Sequence, residues 1–276
     1  MKGLNLSIMK NIVLKRILLI SSALALIVTV YICVEEIKKR NTPTDFKVSV
    51  ISQQETSSVD TSKYSSNIIL TTAAENDIAF NQTVELDVPF VNQNPELPTG
   101  CEITSLTSVL LYLGFHIDKQ TLAKNYLPMS NETGEGMFIN YFFGSPWKTS
   151  GMGCFAPAIV TAANNFLKDN QSDKQAYSIS YSSVNTLFSE LSNGNPVIVW
   201  TSFNYDEKEV TYKDIAQPDG SHFSWPSYEH CVVLSGYDLE NNTVTLTDPT
   251  YGIVQRNLDD FTYFYQKYFY QAVVIK

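Results

Sequence analysis

Apolar residues fall into three stretches of different pattern along the chain. Residues 17–34 form a run of 18 positions without a charge, which is just long enough to cross a bilayer as a helix. Residues 35–83 are rich in Ser and Thr and have little apolar periodicity, as expected of a linker. From residue 84 onward, helical and strand-like patterns follow one another. We therefore predict a short tail over 1–16, a transmembrane helix over 17–34, a linker over 35–83 and a folded domain over 84–276.

The clearest helical pattern of the domain begins at Cys101. Apolar residues recur behind it at helical spacing and make one face: Ile103, Leu106, Val109, Leu110 and Leu113. Pro98 and Gly100 interrupt whatever precedes it. Thr99 and Glu102 have the spacing of a capping box, in which each side chain bonds a main-chain N–H of the first turn. The pattern predicts a helix with Cys101 in its first turn.

The remaining elements are helices first and strands afterwards. An edge strand is predicted over 84–91. Further helices are predicted over Lys119–Tyr126 after an Asp118 cap, from Pro157 to Leu167, and around 184–191, and strands over 197–201, 231–237, 243–247 and 270–275. The glycine- and aromatic-rich loop 128–154 is either a wall of a substrate groove or packing over the core. The order of elements indicates an α+β domain.

Charge and composition exclude several classes of function. Residues 1–40 hold seven Lys or Arg against two Asp or Glu, a balance of +5, and the remainder holds 12 against 26, or −14. A domain this acidic has no basic stripe for phosphates, so nucleic-acid binding is not expected. The chain has no GxxxxGK phosphate loop, so no ATP-binding domain is expected, and no motif indicates a cofactor.

The apolar run 17–34 is interpreted as an uncleaved membrane anchor. Lys15 and Arg16 precede it, and no small-x-small cleavage site follows near Cys33. A cleaved signal peptide is the alternative. Similar numbers of Lys and Arg flank both ends, so the positive-inside rule does not decide the orientation. The long acidic domain behind the anchor favours the extracytoplasmic side of the cell membrane.

The position of Cys101 makes it a candidate nucleophile. Main-chain N–H groups in a first helical turn are unpaired, and the helix dipole there favours negative charge. We therefore expect Cys101 to lose its proton more easily than a free thiol and to be exposed at the helix end. The same N–H groups, with the side-chain amide of Gln93, could receive an oxyanion. The alternative is that Cys101 is a small apolar core residue.

A nucleophilic thiol needs a base, and the chain offers three histidines. His116 lies at the far end of the Cys101 helix, and His222 lies in a polar loop. His230 opens a predicted strand whose hairpin partner ends at Asp248. If the hairpin contains a bulge or an asymmetric loop, Asp248 lies beside His230 and can orient its ring. Taken singly, Asp248 would be interpreted as a turn residue and His230 as a core histidine.

The other cysteines are interpreted as structural. Cys33, Cys101, Cys154 and Cys231 show no CxxC spacing, which argues against a zinc knuckle or a thioredoxin-type site. Cys231 follows His230 directly, and neighbours on a strand point to opposite faces, so the two cannot converge on one metal ion. No metal site is expected. Whether Cys154 and Cys231 form a disulfide stays open.

Three separated blocks resemble a known family in their order along the chain: VPFVNQNPELPTGCEITSL, YEHCVVLSGYD and LTDPTYG. They are similar to papain-clan cysteine peptidases of the bacteriocin-leader (double-glycine) family, in its stand-alone bacterial branch. The resemblance covers roughly Val84 to Lys276 and implies a papain-like fold in which the nucleophile helix packs on an antiparallel sheet. It also implies that Cys101 is the nucleophile and His230 the general base and acid. Asp248 would orient His230, and Gln93 would stabilise the oxyanion.

The expected function is that of a membrane-tethered thiol peptidase that cleaves a peptide or protein substrate through an acyl-enzyme. Two alternatives stay open. An acyltransferase or transpeptidase would use the same acyl-enzyme, and a non-catalytic peptide-binding domain could use the same scaffold. Transporter-linked members of the family carry an ABC exporter, whereas this chain has no phosphate loop, so the substrate cannot be taken from the resemblance.

Overall fold

The computed structural model of the chain describes residues 80–130, 139–217 and 220–276. The helices are α1 (Cys101–Tyr112), α2 (Lys119–Tyr126), α3 (Ala156–Asp169), α4 (Val184–Ser192) and α5 (Leu258–Lys267). The strands are β1 (Thr83–Glu85), β2 (Ala176–Ser178), β3 (Val197–Ser202), β4 (Tyr212–Ala216), β5 (His222–Pro226), β6 (Glu229–Asp238), β7 (Thr243–Asp248), β8 (Gly252–Asn257) and β9 (Ala272–Ile275). The predicted tail, transmembrane helix and nearly all of the linker lie outside the described residues. Within the described ranges, no helix combines the length and hydropathy that a membrane span requires.

One antiparallel sheet forms the centre of the domain. Its strands run in the order β2-β9-β3-β6-β7-β8, and β1 pairs with the end of β6 next to β3. The central strand β6 therefore contacts three others, which makes it the most constrained strand of the sheet. A separate hairpin is formed by β4 and β5.

Both faces of the central strands are buried. In β3, Ile198 and Trp200 belong to the core shared with α1, α2 and α3, whereas Val197 and Val199 belong to the core shared with α4. β6 alternates in the same way: Cys231 and Val233 face α1, and Val232 and Leu234 face away from it. The unbroken apolar runs of these strands follow from this double burial. The structure confirms the predicted α+β class with an antiparallel sheet.

The start of α1 differs from the predicted capping box. Gly100 is the N-cap, and no side chain caps the helix. The hydroxyl of Thr99 donates instead to the main-chain oxygens of Ser145 and Lys148. Glu102 is turned into the protein, where it accepts a hydrogen bond from the N–H of Cys154. The capping prediction was wrong because both side chains bond instead to residues of the loop between α2 and α3.

Other sequence predictions are confirmed or shortened. Asp118 caps α2 by accepting from the N–H groups of Gln120 and Thr121. The predicted strand over 84–91 is only the three-residue β1, because Val88 donates to the oxygen of Leu86 and the chain turns. Four features were not expected from the sequence pattern: the short β2, the hairpin of β4 and β5, strand β8 and helix α5.

Candidate active site

His230 and Asp248 form a buried hydrogen-bonded pair on neighbouring strands. Nε2 of His230 lies 3.0 Å from Oδ1 of Asp248, and both side chains are almost completely enclosed. The ring of Phe203 meets the imidazole edge-to-face at 5.2 Å between centroids. A carboxylate on one nitrogen and an aromatic ring on one side fix the orientation of the imidazole. Nδ1 is left as the nitrogen that could exchange a proton with a reacting group.

A bulge in the β6–β7 hairpin brings the pair together. The register shifts between Leu234 and Gly236, so that Leu234 pairs with Leu246 but Gly236 pairs with Thr245. The predicted irregularity of this hairpin is thus confirmed.

Asp248 is a turn residue as well as a partner of histidine. Its Oδ1 accepts from the main-chain N–H groups of Thr250 and Tyr251, at 2.7 and 3.1 Å. Burial by itself raises the pKa of Asp248, but the hydrogen bond and charge of His230 and the two N–H groups outweigh it, so the pKa is lowered. The carboxylate is therefore ionised and rigidly held at neutral pH.

Cys101 lies at the start of α1, but its surroundings differ from the sequence prediction. The residue is only 7% exposed, and its Sγ donates to Oε2 of Glu102 at 3.4 Å. Burial, followed by the charges of Glu102 and Glu229, raises the pKa of the thiol well above its usual value. The prediction of an exposed thiol with a lowered pKa was wrong, because burial and then the two carboxyl groups next to the sulfur outweigh the helix dipole.

The hydrogen-bond partner of the sulfur is Glu102 and not the histidine. Among the described residues, no hydrogen bond joins Sγ of Cys101 to the ring of His230. The sulfur lies beside Cys231, the residue after His230, whose main-chain N–H acts on it as a hydrogen-bond donor. The catalytic grouping of Cys101, His230 and Asp248 therefore stays a prediction.

Gln93 is held close to both parts of the site by its main chain and side chain. Its N–H donates to the oxygen of Pro249, next to Asp248, at 2.8 Å. Its side-chain Nε2 donates to the oxygen of Pro98 at 3.0 Å, three residues before Cys101. Lys119 donates to the main-chain oxygen of Gln93 at 2.9 Å. The amide is buried and fixed, and its second Nε2 hydrogen is not used by the bond to Pro98.

The sequence of the domain matches a known family. Residues 85–273 match the Peptidase_C39 like family. The chain belongs to this family. It is 34% identical over 200 residues to "Uncharacterized protein YvpB" of Bacillus subtilis (strain 168), an alignment that covers 69% of this chain and 75% of that protein. It also resembles the crystal structure of a "putative C39-like peptidase from Bacillus anthracis", with a TM-score of 0.62 and 29% identity over 71% of this chain and 98% of that one.

The carboxyl groups of Glu102 and Glu229 in this C39-like domain were not predicted to lie beside the thiol. Glu102 is 0% exposed, and an oxygen of Glu229 lies within 4.8 Å of both a Glu102 oxygen and the Cys101 sulfur. Strand alternation contains a signal for Glu229, because it shares a face with Cys231, which is a core residue. Glu102 gave no such signal, because an acidic residue in a first helical turn is usually solvated.

Cys154, Cys231 and His222 do not belong to the predicted catalytic group. Cys101, Cys154 and Cys231 are all free and buried, so no disulfide joins Cys154 to Cys231. The main-chain oxygen of Cys154 accepts from Nε1 of Trp200 at 2.8 Å, which fixes the loop before α3. His222 lies on β5 rather than in a loop, exposed and paired with Asp214.

The His230–Asp248 pair predicts a pH-dependent loss of stability. Replacing Asp248 by Ala leaves the ring N–H and two main-chain N–H groups without their acceptor, and should lower the free energy of unfolding by about 1–3 kcal/mol at pH 7. Asp248→Asn keeps an acceptor oxygen and should cost less. Because the folded pKa of Asp248 is lowered, its stabilisation is present above the unfolded pKa of about 3.9 and is lost as pH falls through the folded value.

Urea unfolding at pH 7 and pH 3 would measure both effects. The wild-type protein should lose more stability than Asp248→Asn between these pH values. Equal losses in the two proteins would show that the carboxylate is not held as described.

Proposed function

We propose that the chain is a membrane-tethered cysteine peptidase that cleaves a peptide bond through an acyl-enzyme. The observation that carries this proposal is the buried His230–Asp248 pair, held rigidly on two strands next to the helix start that bears Cys101. Membership of the Peptidase_C39 like family supports a peptide substrate. Gln93 supplies an amide donor on the same side of the fold, tied to Pro98 and Pro249.

The chemistry assigns one role to each group. The thiol of Cys101 passes its proton to Nδ1 of His230, and the resulting thiolate attacks the carbonyl carbon of the peptide bond. The oxyanion is received by Gln93 and by the free N–H groups at the start of α1. His230 returns the proton to the leaving amine and then takes one from water, which hydrolyses the acyl-enzyme. Asp248 keeps the imidazole oriented and stabilises its charged form.

Substitution of these groups should separate their roles in the cleavage of a mixture of quenched fluorescent peptides. Cys101→Ala should abolish cleavage, because the nucleophile is gone. His230→Ala should lower kcat/KM by about 10²–10⁴-fold, because proton transfer is lost. Gln93→Ala should lower kcat by about 10²–10³-fold with a smaller change in KM, because its donor acts on the transition state.

His222→Ala is the matched control, because it removes an exposed histidine that bonds only the exposed Asp214 among the contacts described. It should cleave at the wild-type rate. Retention of cleavage by Cys101→Ala would overturn the proposal. Mass spectrometry of the products with and without added glycinamide distinguishes hydrolysis from acyl transfer, and an amide product would make the chain a transferase.

We also propose that residues 17–34 anchor the chain in the cell membrane, with the domain on the extracytoplasmic side. The support is the uncharged 18-residue run followed by a Ser- and Thr-rich linker. The full chain should stay with the membrane pellet after alkaline carbonate washing, whereas a chain lacking residues 1–40 should be released. External proteinase K should digest the domain in spheroplasts. Release of the full chain, or protection of the domain, would contradict the anchor or its orientation.

A further inference from the structure

The carboxyl group of Glu102 is the hydrogen-bond partner of the proposed nucleophile. Its Oε2 accepts from Sγ of Cys101 at 3.4 Å, and its Oε1 accepts from the main-chain N–H of Cys154 at 2.6 Å. Trp200 holds the carbonyl of the same residue, Cys154. The loop before α3 therefore fixes Glu102 from one side, and Glu102 in turn fixes the thiol.

Glu229 completes a closely packed group. Oxygens of Glu102 and Glu229 and the sulfur of Cys101 lie within 4.8 Å of one another. Gly153 closes over the two carboxyl groups: a Cβ at this position would lie 2.6 Å from Oε1 of Glu102 and 2.9 Å from Oε2 of Glu229. Since Gly153 also has a φ of +122°, a side chain is excluded there on two grounds. The main chain is thus packed directly against the pair.

Two carboxyl groups this close in a buried site cannot both be ionised. Burial raises the pKa of Glu102 to about 7, even though N–H groups and the thiol donate to it. Burial and the charge of Glu102 raise the pKa of Glu229 well above its usual value. Above about pH 7 the pair holds one proton and one negative charge next to the sulfur, and below it the pair becomes neutral.

The groups facing the pair do not neutralise that charge. Three thiols face the pair: Cys101 of α1, Cys154 of the loop before α3, and Cys231 of β6. The charge of Asp248 on β7 also raises the pKa of Cys231, after burial and the charges of Glu102 and Glu229. The hydroxyl of Tyr268, after α5, lies near Glu229. None of these is a cation. His230 is hydrogen-bonded to Asp248. The negative charge therefore acts on the thiol without a compensating positive charge among these groups.

We propose that Glu102, paired with Glu229, is a positioning residue that keeps the Cys101 thiol protonated and bound until the pair takes up a second proton. This inference rests on the proposed function. One proton from solvent then converts the remaining carboxylate into a carboxyl group, and the acceptor of the thiol loses its negative charge. The S–H bond can break with transfer of its proton to Nδ1 of His230, giving a thiolate and an imidazolium. His230 therefore promotes ionisation of the thiol, whereas the carboxyl pair that includes its sequence neighbour Glu229 opposes it.

Alkylation of Cys101 by iodoacetamide, followed by peptide mapping of the full chain, tests this role across pH 5–9. Glu102→Gln removes the charge and should increase the Cys101 alkylation rate at pH 7.5 by about tenfold or more, the effect of a one-unit fall in the thiol pKa. At pH 5.5, where the wild-type pair is neutral, the two rates should differ by less than about threefold.

Glu229→Gln supplies the matched variant with a different outcome. Burial, not the charge of Glu229, raises the pKa of Glu102 to about 7, so Glu102 still ionises there in this variant and the pH at which the thiol is released should stay where it is in the wild type. A merely structural role would change rates without moving the profile. Alkylation of the buried Cys154 and Cys231 reports unfolding in the same samples, and only variants in which both stay protected count as folded. A profile of the folded Glu102→Gln protein that superimposes on the wild-type profile, or a profile of Glu229→Gln that shifts as far as that of Glu102→Gln, would overturn the inference.

The result is separable from the proposed function, because alkylation is measured without any substrate. A protein that cleaves no peptide but shows the predicted shifts would retain the Glu102 role and lose the peptidase. A protein that cleaves peptides with unshifted alkylation profiles would do the reverse.

Discussion

The buried carboxylate of Glu102 is the interaction on which the geometry of the site depends. It joins the first turn of α1 to the loop before α3 through the N–H of Cys154, and it lies against Glu229 at the start of β6. The next turn of the helix reinforces this docking, because Ser105 donates to the main-chain oxygen of Cys231 at 3.1 Å. A buried carboxylate in this position is costly unless it is hydrogen-bonded. The hydrogen bonds from Cys154 and Cys101 offset this cost for Glu102.

The two halves of the proposed site are prepared to different degrees. The imidazole of His230 already has its orienting carboxylate, and Asp248 is itself fixed by two main-chain N–H groups. The thiol, by contrast, is bound to Glu102 in a low-dielectric pocket that favours its protonated form. In the proposed mechanism, this asymmetry corresponds to a resting state in which the base is ready and the nucleophile is withheld. Release of the thiol then becomes the step that pH or a substrate would control.

Much of this arrangement could be predicted from local sequence signals. Helix α2 and its Asp118 cap follow from a short-range pattern, and so do the buried strands around Val199 and Val233, whose apolar runs reflect burial on both faces. The meeting of His230 and Asp248 was predictable too, because a hairpin joins them within 18 residues. Residues of this kind are placed by their chain neighbours.

The environment of Cys101 could not be predicted in the same way. Its thiol responds to Glu229, which is 128 positions away along the chain, and to a loop fixed by Trp200. A helix dipole is a local effect that can be assigned from sequence, whereas a charge brought in by a distant strand becomes visible only when the chain is folded. The capping pattern of Thr99 and Glu102 failed for the same reason, since both side chains bond to partners in the loop between α2 and α3.

The most direct measurement for the account as a whole is the location of the acyl group in the intermediate. The full chain would be mixed with a peptide 4-nitrophenyl ester at pH 6, quenched with acid and mapped by mass spectrometry. We expect an acyl group on the peptide that contains Cys101, and a much smaller amount of it in the His230→Ala protein. An acyl group on Cys154 or Cys231 instead, or none on any cysteine, would contradict it.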